Sequence, residues 1–524
     1  MTKNCFSPAC LFVIAVLCLA VFQFSENTAD PDLWSHVFFG TQFLQTGKPT
    51  TIDYYSWTAY GQPSFDHEYL GEAVFALAYR ALGGPGLLLL KVIVGLLTFG
   101  IALSVAFKNL DAKTRIVAWA FGALAVVEIS FGFAARPQIF TALSLAIELW
   151  LLDQIHRGKW QWALALPPLF ALWFNLHGGA LAGLILLFAA AGATSAQCLL
   201  ARFVPARVVT ALWISAVVSA ATVVLNPHGF ELARWLVGSV LWLRPQIQEW
   251  NPARLDWDHA AFFFCAAIAS AALALSRRPH RLWEMAILVI LFLVGFRSVR
   301  NTPLFCIASL ALVPPHLADV LQRYHHHFRR FEELFQLSSV RIISAIILAL
   351  ASVGIIAATF TLHKKHFWTM EIPRSQYPVA AVQFILQHDL RGNMLAFFDW
   401  GEMCIWDLPD CPVSMDGRLD SVYSPQVIAA HWKLYNGEPF DTNALDIARA
   451  SLALLPTHLA GSEALVKNNG WQPVYYDNLA VVLVRNVREY PQLSGLKLPV
   501  AGDAGATEGR EAFPNHLARS VSTP

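Results

Sequence analysis

Runs of about twenty apolar residues recur along this chain, and no other feature constrains its fold as strongly. A segment of that length crosses a bilayer as a helix, because lipid offers backbone N–H and C=O groups no partner. Such runs occupy residues 9–24, 86–107, 116–133, 138–155, 160–175, 178–200, 208–226, 260–276, 282–296, 302–321 and 340–362. They predict about eleven crossings, several near the floor of about 17 residues. Composition agrees: 56% of the 524 residues are hydrophobic and 14% are charged, where a soluble domain has roughly 45–50% and roughly 25%. Because 37 Lys and Arg balance 36 Asp and Glu, the chain is neither a basic nucleic-acid binder nor a charge-rich disordered segment.

The charges between the runs predict a direction. One set of turns holds Lys3, then Lys108, Lys113 and Arg115, then Arg157 and Lys159, then Arg202 and Arg207. Arg277, Arg278, Arg323, Arg329 and Arg330 continue it. Basic turns face the cytoplasm, so the N-terminus is expected inside and everything after residue 362 outside. The first run reads as a retained anchor, since the FQFSENTAD that follows lacks a small-residue cleavage site. His325, His326 and His327 lie in a basic cytoplasmic turn and read as solvated. Six cysteines fall in the N-terminal tail or the runs, whereas Cys404 and Cys411 lie together outside, where a disulfide is permitted.

The outside turns carry the unusual polar groups. The first loop, residues 25–85, reads as two surface helices joined by a turn-rich strip. Asp30-Pro31 suits a helix start, and in that helix Asp32 and His36 are four apart on one face. The second helix is expected near Asp66 and runs through His67, Glu68 and Glu72. Its apolar stripe of Leu70, Ala73, Val74, Leu77 and Ala81 suits the membrane surface. Later turns supply Arg136 (with Glu128 two turns earlier), Asn175 and His177 in NLHGG, and Asn226 and His228 in NPHG. Glu249, Arg254, Asp256, Arg297 and Arg300 follow. Ionisable groups confined to one membrane face default to a functional hypothesis, although Asp30 and Asp66 also suit simple caps and Arg136 suits a structural pair with Glu128. Glu148, deep in its run, reads as a buried hydrogen-bonded group.

After residue 362 the composition becomes that of a soluble domain. MLAFF, PVSMDG, SLALLP and VVLVRN read as short buried strands with helical stretches between them, a small α/β domain over residues 363–496. Asp399, Trp400, Glu402, Asp416, Arg418 and Asp420 fall near strand ends, where such sheets bind ligands. Residues 497–524, rich in Ala, Gly and charge, read as a disordered tail.

A first span, an acidic outside loop with two surface helices, and many short spans resemble the GT-C superfamily of polyprenyl-phosphate-sugar-dependent glycosyltransferases. The strings DPDLWSH, DYYSWTAYGQP, DHEYLGE, RPQIF, NLHGG, NPHG and DWGEMCIWDLPDCPVSMDGRLDSVY are similar to those of a bacterial GT-C-like group. The resemblance implies an α-helical polytopic membrane protein whose residues 1–362 form the transmembrane domain, followed by the extracytoplasmic α/β domain. It implies a bacterial cytoplasmic-membrane enzyme that moves a sugar from a polyprenyl-phosphate donor to a hydroxyl on a lipid, glycan or protein acceptor. An acidic residue of the first loop is the base or metal-binding group, a role carried to Asp30 and Asp32, with His67 and Glu68 as further catalytic candidates. The resemblance leaves room for a divalent metal, Mg or Mn.

The chemistry points the same way. A carboxylate can take the acceptor's proton, and Arg forks suit a departing phosphate, so Arg136, Arg297 and Arg300 are the expected phosphate ligands. His36, His177 and His228 support them, and Asp399, Asp416 and Arg418 are the expected acceptor-site residues. Two other readings fit the same composition: a transporter or flippase for a lipid-linked or polar solute, and an inactive membrane scaffold of the same superfamily.

Overall fold

The computed structural model describes residues 7–201, 205–242, 244–324, 337–362, 368–495 and 507–514. Lys3, Arg202, the histidines at 325–327, Arg329 and Arg330 lie outside them. The chain is mostly helical and divides into two compact units: Met1–Glu26 with Leu89–Lys364, and Asn27–Leu88 with Lys365–Pro524. Hydropathy alone draws the boundary at residue 362. Packing instead groups the polar first loop with the C-terminal segment.

In the first unit every expected run is helical, though many of the helices are short. Gly84–Phe107 (which begins in the loop unit), Gln138–His156, Ala180–Leu200, Ala206–Leu225 and Ser338–Thr361 are long and apolar enough to cross a membrane. A sixth span results if Val299–Leu312 and Pro314–Arg323, bent by 52°, are one crossing. The bend falls at Pro314-Pro315, where ring and missing N–H both oppose a continuous helix. Other runs fall short for local reasons. Pro8–Phe24 has 17 residues and Ala260–Leu275 has 16, about 25 Å of helix against a core of about 30 Å. Residues 160–175 split into a 3₁₀ turn, Trp160–Ala165, and the helix Leu166–Leu176. Among the described residues five helices, or six with the bent pair, are thus long and apolar enough to cross, and the other expected runs are shorter helices. Phe230–Leu241, absent from the expected runs, is an additional helix; it buries Leu232 and Leu236 and exposes Phe230.

In the second unit the first loop folds as two helices, Leu33–Thr46 and Tyr69–Leu82, which pack together. They cross at Gly40, where a Cβ would stand 2.1 Å from the Glu72 carbonyl oxygen; only glycine permits that approach. Of the expected stripe, Ala73 is buried but Leu77 is exposed. The strip between the helices is held along the C-terminal segment: Trp57 N–H donates to the Val413 carbonyl (3.0 Å) and Val413 N–H to that of Tyr55 (3.1 Å). Trp57 Nε1 donates to the Met394 carbonyl, and Trp34 packs on Tyr377 and Phe513.

The sheet of this unit has four strands in the order Met394–Ala396, Leu452–Pro456, Ala480–Val484, Gln472–Tyr476. The first pair is parallel and the other two antiparallel. Three of the four strands are buried throughout. PVSMDG was expected as a strand, but only its Val413 bridges to Ser56 and Met394. The fourth strand is instead Gln472–Tyr476, interrupted by an irregularity between Pro473 and Tyr475. The tail expected as disordered also contains order: Arg510–Ala512 pairs antiparallel with Glu371–Pro373. Ion pairs Arg510–Glu371 and Arg374–Glu511 hold that strand, and Phe513 is buried. Cys404 and Cys411 are buried free thiols, not a disulfide; burial pushes the Cys411 thiol up to about 12.

Candidate functional site

The acidic string at the start of the first loop organises its own backbone. Asp30 Oδ1 accepts the Asp32 N–H at 3.0 Å, so Asp30 makes a local turn, and Asp32 stands at the N-terminus of Leu33–Thr46. The second helix starts three residues later than expected, at Tyr69, and Asp66 Oδ1 accepts the Glu68 N–H at 3.3 Å. Neither Asp30 nor Asp66 is the N-cap.

Asp32 meets a residue far away in sequence. Glu402 lies in the first turn of the helix Gly401–Asp407 and is buried. Its Oε1 and Asp32 Oδ1 lie 2.7 Å and 2.3 Å from the point that a Cβ on Gly417 would occupy. Two carboxylates thus converge over one glycine, and a side chain there would drive them apart. Burial, then the Asp32 and Asp416 charges, raise the Glu402 carboxyl well above its usual range, against the lowering effect of Ser35 and Arg418. Ser35, one turn along the Asp32 helix, has its Oγ 2.5 Å from Glu402 Oε2 and 2.9 Å from the Asp32 carbonyl oxygen.

Gly417 is held from behind by an ion lattice. Arg418 binds Asp416 Oδ2 at 2.7 Å and Asp53 Oδ1 at 2.8 Å, and its guanidinium lies over the Phe39 and Tyr55 rings. Asp53 Oδ2 accepts both the N–H and the hydroxyl of Ser56, while Tyr423 donates its hydroxyl to Asp416 at 2.5 Å. Burial alone would raise Asp416; Arg418 outweighs it and the carboxyl ends below its usual range. Asp416 and Arg418, expected at an acceptor site, are engaged in this lattice, and Asp399 is exposed.

On the neighbouring helix start, His67 Nε2 lies 3.1 Å from Glu68 and His36 Nδ1 3.2 Å from Glu72. Burial would lower the His67 pKa, but Glu68 outweighs it and the net shift is upward. Burial and the Glu68 charge raise Glu72, and burial and Glu72 raise Asp66. The histidines and carboxylates of this loop therefore form pairs. Among the described residues no group of three or more His, Cys, Asp or Glu side chains is placed to hold a metal ion.

The first unit has its own polar clusters. Glu249 Oε1 lies 2.8 Å from Arg300 and 3.5 Å from Arg136, which brings two of the three expected phosphate ligands onto one oxygen. Burial would raise Glu249, but Arg300 and Arg136 hold it below the usual carboxylate range. Arg136 thus meets Glu249, while Glu128 binds Thr302 and His259. Arg297 is the exposed last residue of its helix. The NLHGG and NPHG turns are joined: Asn226 donates to Asn175 at 3.2 Å and its Oδ1 accepts the His228 N–H. His177 Nδ1 lies 2.8 Å from the Thr141 hydroxyl and accepts the Gly179 N–H. Glu148 is fully buried, and among the described residues neither of its oxygens has a hydrogen-bond partner, contrary to its expected role.

Asp32 and Glu402 both stand out in the sequence as polar residues of outside segments, but nothing in it places them together. The signal available was the glycine between the two charges of MDGRLD.

No family model and no curated protein matches this chain. Among solved structures it is similar to the oligosaccharyltransferase AglB of Archaeoglobus fulgidus, solved with an inhibitory peptide and a dolichol-phosphate, at TM-score 0.55 and 14% identity. That match covers 85% of this chain and 69% of AglB. It is also similar to the mycobacterial arabinofuranosyltransferase AftD, at TM-score 0.46 and 16% identity, over 91% of this chain and 41% of AftD.

Proposed function

We propose that this chain, a multi-pass membrane protein with the fold of the GT-C glycosyltransferases, itself transfers a sugar from a polyprenyl-phosphate donor to an acceptor hydroxyl. The observation that carries the proposal is the meeting of Asp32, on the first loop of that fold, with a buried second carboxylate. Asp32 is half-buried and stands at a helix N-terminus, a place where an ionised carboxylate is favoured.

In the proposed reaction the acceptor oxygen bonds to the anomeric carbon and Asp32 takes its proton. The carbon–oxygen bond to phosphate breaks, and the lipid phosphate leaves with the electron pair. Asp30, His67 and Glu68 support the loop that presents Asp32. Arg136 and Arg300, with Arg297, are proposed to receive the phosphate: the two arginines on Glu249 carry a net positive charge, and Arg forks match phosphate oxygens. Acceptor binding is proposed for the segment around Asp399, which Asp416 and Arg418 hold in place through their ion lattice. The reacting face is the extracytoplasmic side of a bacterial cytoplasmic membrane, a reading supported by the basic turns of the sequence.

The test is incubation of purified protein with polyprenyl-phosphate hexoses and pentoses labelled in the sugar. Label leaving the lipid supports transfer. A lipid carried across vesicles with its sugar–phosphate bond intact for every donor would replace this reading with the flippase.

A further inference from the structure

The Ser35 hydroxyl links the Asp32 backbone to Glu402. The Ser35 hydroxyl makes two short oxygen–oxygen contacts, 2.9 Å to the Asp32 backbone carbonyl and 2.5 Å to Glu402 Oε2. Each contact needs one hydrogen. Serine has one, and the carbonyl oxygen has none. If Ser35 donates to Glu402, the contact with the carbonyl faces lone pair against lone pair. If Ser35 donates to the carbonyl, the shorter contact needs a hydrogen from Glu402. Only the second arrangement satisfies both.

We propose that Glu402 is a neutral carboxylic acid in the resting protein, donating through Ser35 to the Asp32 backbone, and that this neutrality leaves Asp32 as the ionised member of the pair. Glu402 is then a positioning residue for the base, supplied by the C-terminal segment to a helix of the first loop. The proposal rests on the reading of Asp32 as the group that takes the acceptor proton. The ionisable groups facing Glu402 are Asp32, Asp416 and Arg418. Arg418 is shared between Asp416 and Asp53, so Asp32 first and Asp416 second oppose an ionised Glu402. Burial acts in the same direction, since a charged carboxylate with little access to water is costly.

A glutamine at 402 keeps the shape, donates from its amide to Ser35 and cannot ionise. In full-length protein purified in detergent, Glu402→Gln is expected to keep transfer within about five-fold of wild type near neutral pH. It is also expected to remove any fall in rate as pH rises through the folded pKa of Glu402. Glu402→Leu, which cannot donate, is expected to lose about 10²-fold. The second readout needs no substrate. A carboxyl that keeps its proton on folding contributes stability present at low pH and lost as pH rises through its folded pKa, so Glu402→Gln flattens the decline of Tm with pH. A Tm-against-pH curve for Glu402→Gln that overlays wild type overturns the proposal. So does a Glu402→Gln variant as slow as Glu402→Leu. If no donor turns over, the catalytic reading fails by itself, and the Tm curves still decide the state of Glu402.

Discussion

The substitution Gly417→Ala isolates the convergence of Asp32 and Glu402, because it adds one methyl group where they meet. The new carbon would stand 2.3 Å from Asp32 Oδ1, 2.7 Å from Glu402 Oε1 and 3.2 Å from Asp32 Cγ. Ordinary contact needs about 3.5 Å, so the carboxylates must retreat by about 1 Å. Glu402 is buried and has little room to retreat, so Asp32, half-buried at its helix start, must turn its carboxylate out of the gap. Overpacking of this kind costs about 1–3 kcal/mol, or roughly 3–10 °C in Tm. Displacing a reacting group by about 1 Å costs about 10²-fold in rate. The assay is kcat for release of labelled sugar from a polyprenyl-phosphate donor, with Tm measured on the same preparation. Gly192→Ala is the control, because nothing lies within 4 Å of its added carbon; it is expected to leave both values unchanged. A Gly417→Ala enzyme with kcat within about two-fold of wild type, at unchanged Tm, would refute the claim that the pair meeting there is the reaction centre.

Three further outcomes follow from the same geometry. Arg418→Met leaves Asp53 and Asp416 buried without their partner, which costs about 3–5 kcal/mol; a Tm within about 2 °C of wild type would contradict the lattice. Asp407 is buried with neither oxygen hydrogen-bonded among the described residues, and burial with the Glu511 charge raises it to about 8. Its folded pKa lies above the unfolded 3.8, so stability declines as pH rises from about 4 to about 8; Asp407→Asn should reduce that slope, and an unchanged Tm-against-pH curve would count against it. Arg300→Gln removes the closer of the two guanidinium groups on Glu249, so KM for the lipid donor should rise about ten-fold or more; an unchanged KM would move the phosphate elsewhere.

Much of the architecture was legible in the sequence because hydrophobic length and helix-start chemistry are local. The eleven runs are helical, and DPD opens a helix at Asp32. The lengths of the helices were less legible, since Pro314-Pro315 bends one run and a 3₁₀ turn at Trp160–Ala165 opens another. The strand Gln472–Tyr476 carries Gln and Pro and a half-exposed pattern, so no buried run marked it. Arg510–Ala512 has no strand signal at all; ion pairs to Glu371 and Arg374 fix it. The site divided in the same way. Spacing puts Asp32 and His36 on one helix face, yet His36 pairs with Glu72 of the second helix; Ser35 and Glu402 are 367 residues apart, and only packing brings them together. The acidic neighbours of Asp32 on its own loop were visible; the one that meets it came from the far end of the chain.

The central claim, that Asp32 takes the acceptor proton in a transfer from lipid phosphate, is tested most directly by one ratio. Release of labelled sugar from the polyprenyl-phosphate donor is measured for wild type and Asp32→Asn, each checked for equal Tm. Loss of a positioned base costs about 10²–10⁴-fold, so Asp32→Asn should fall by at least about 10²-fold while remaining folded. Equal rates for the two proteins would contradict the account.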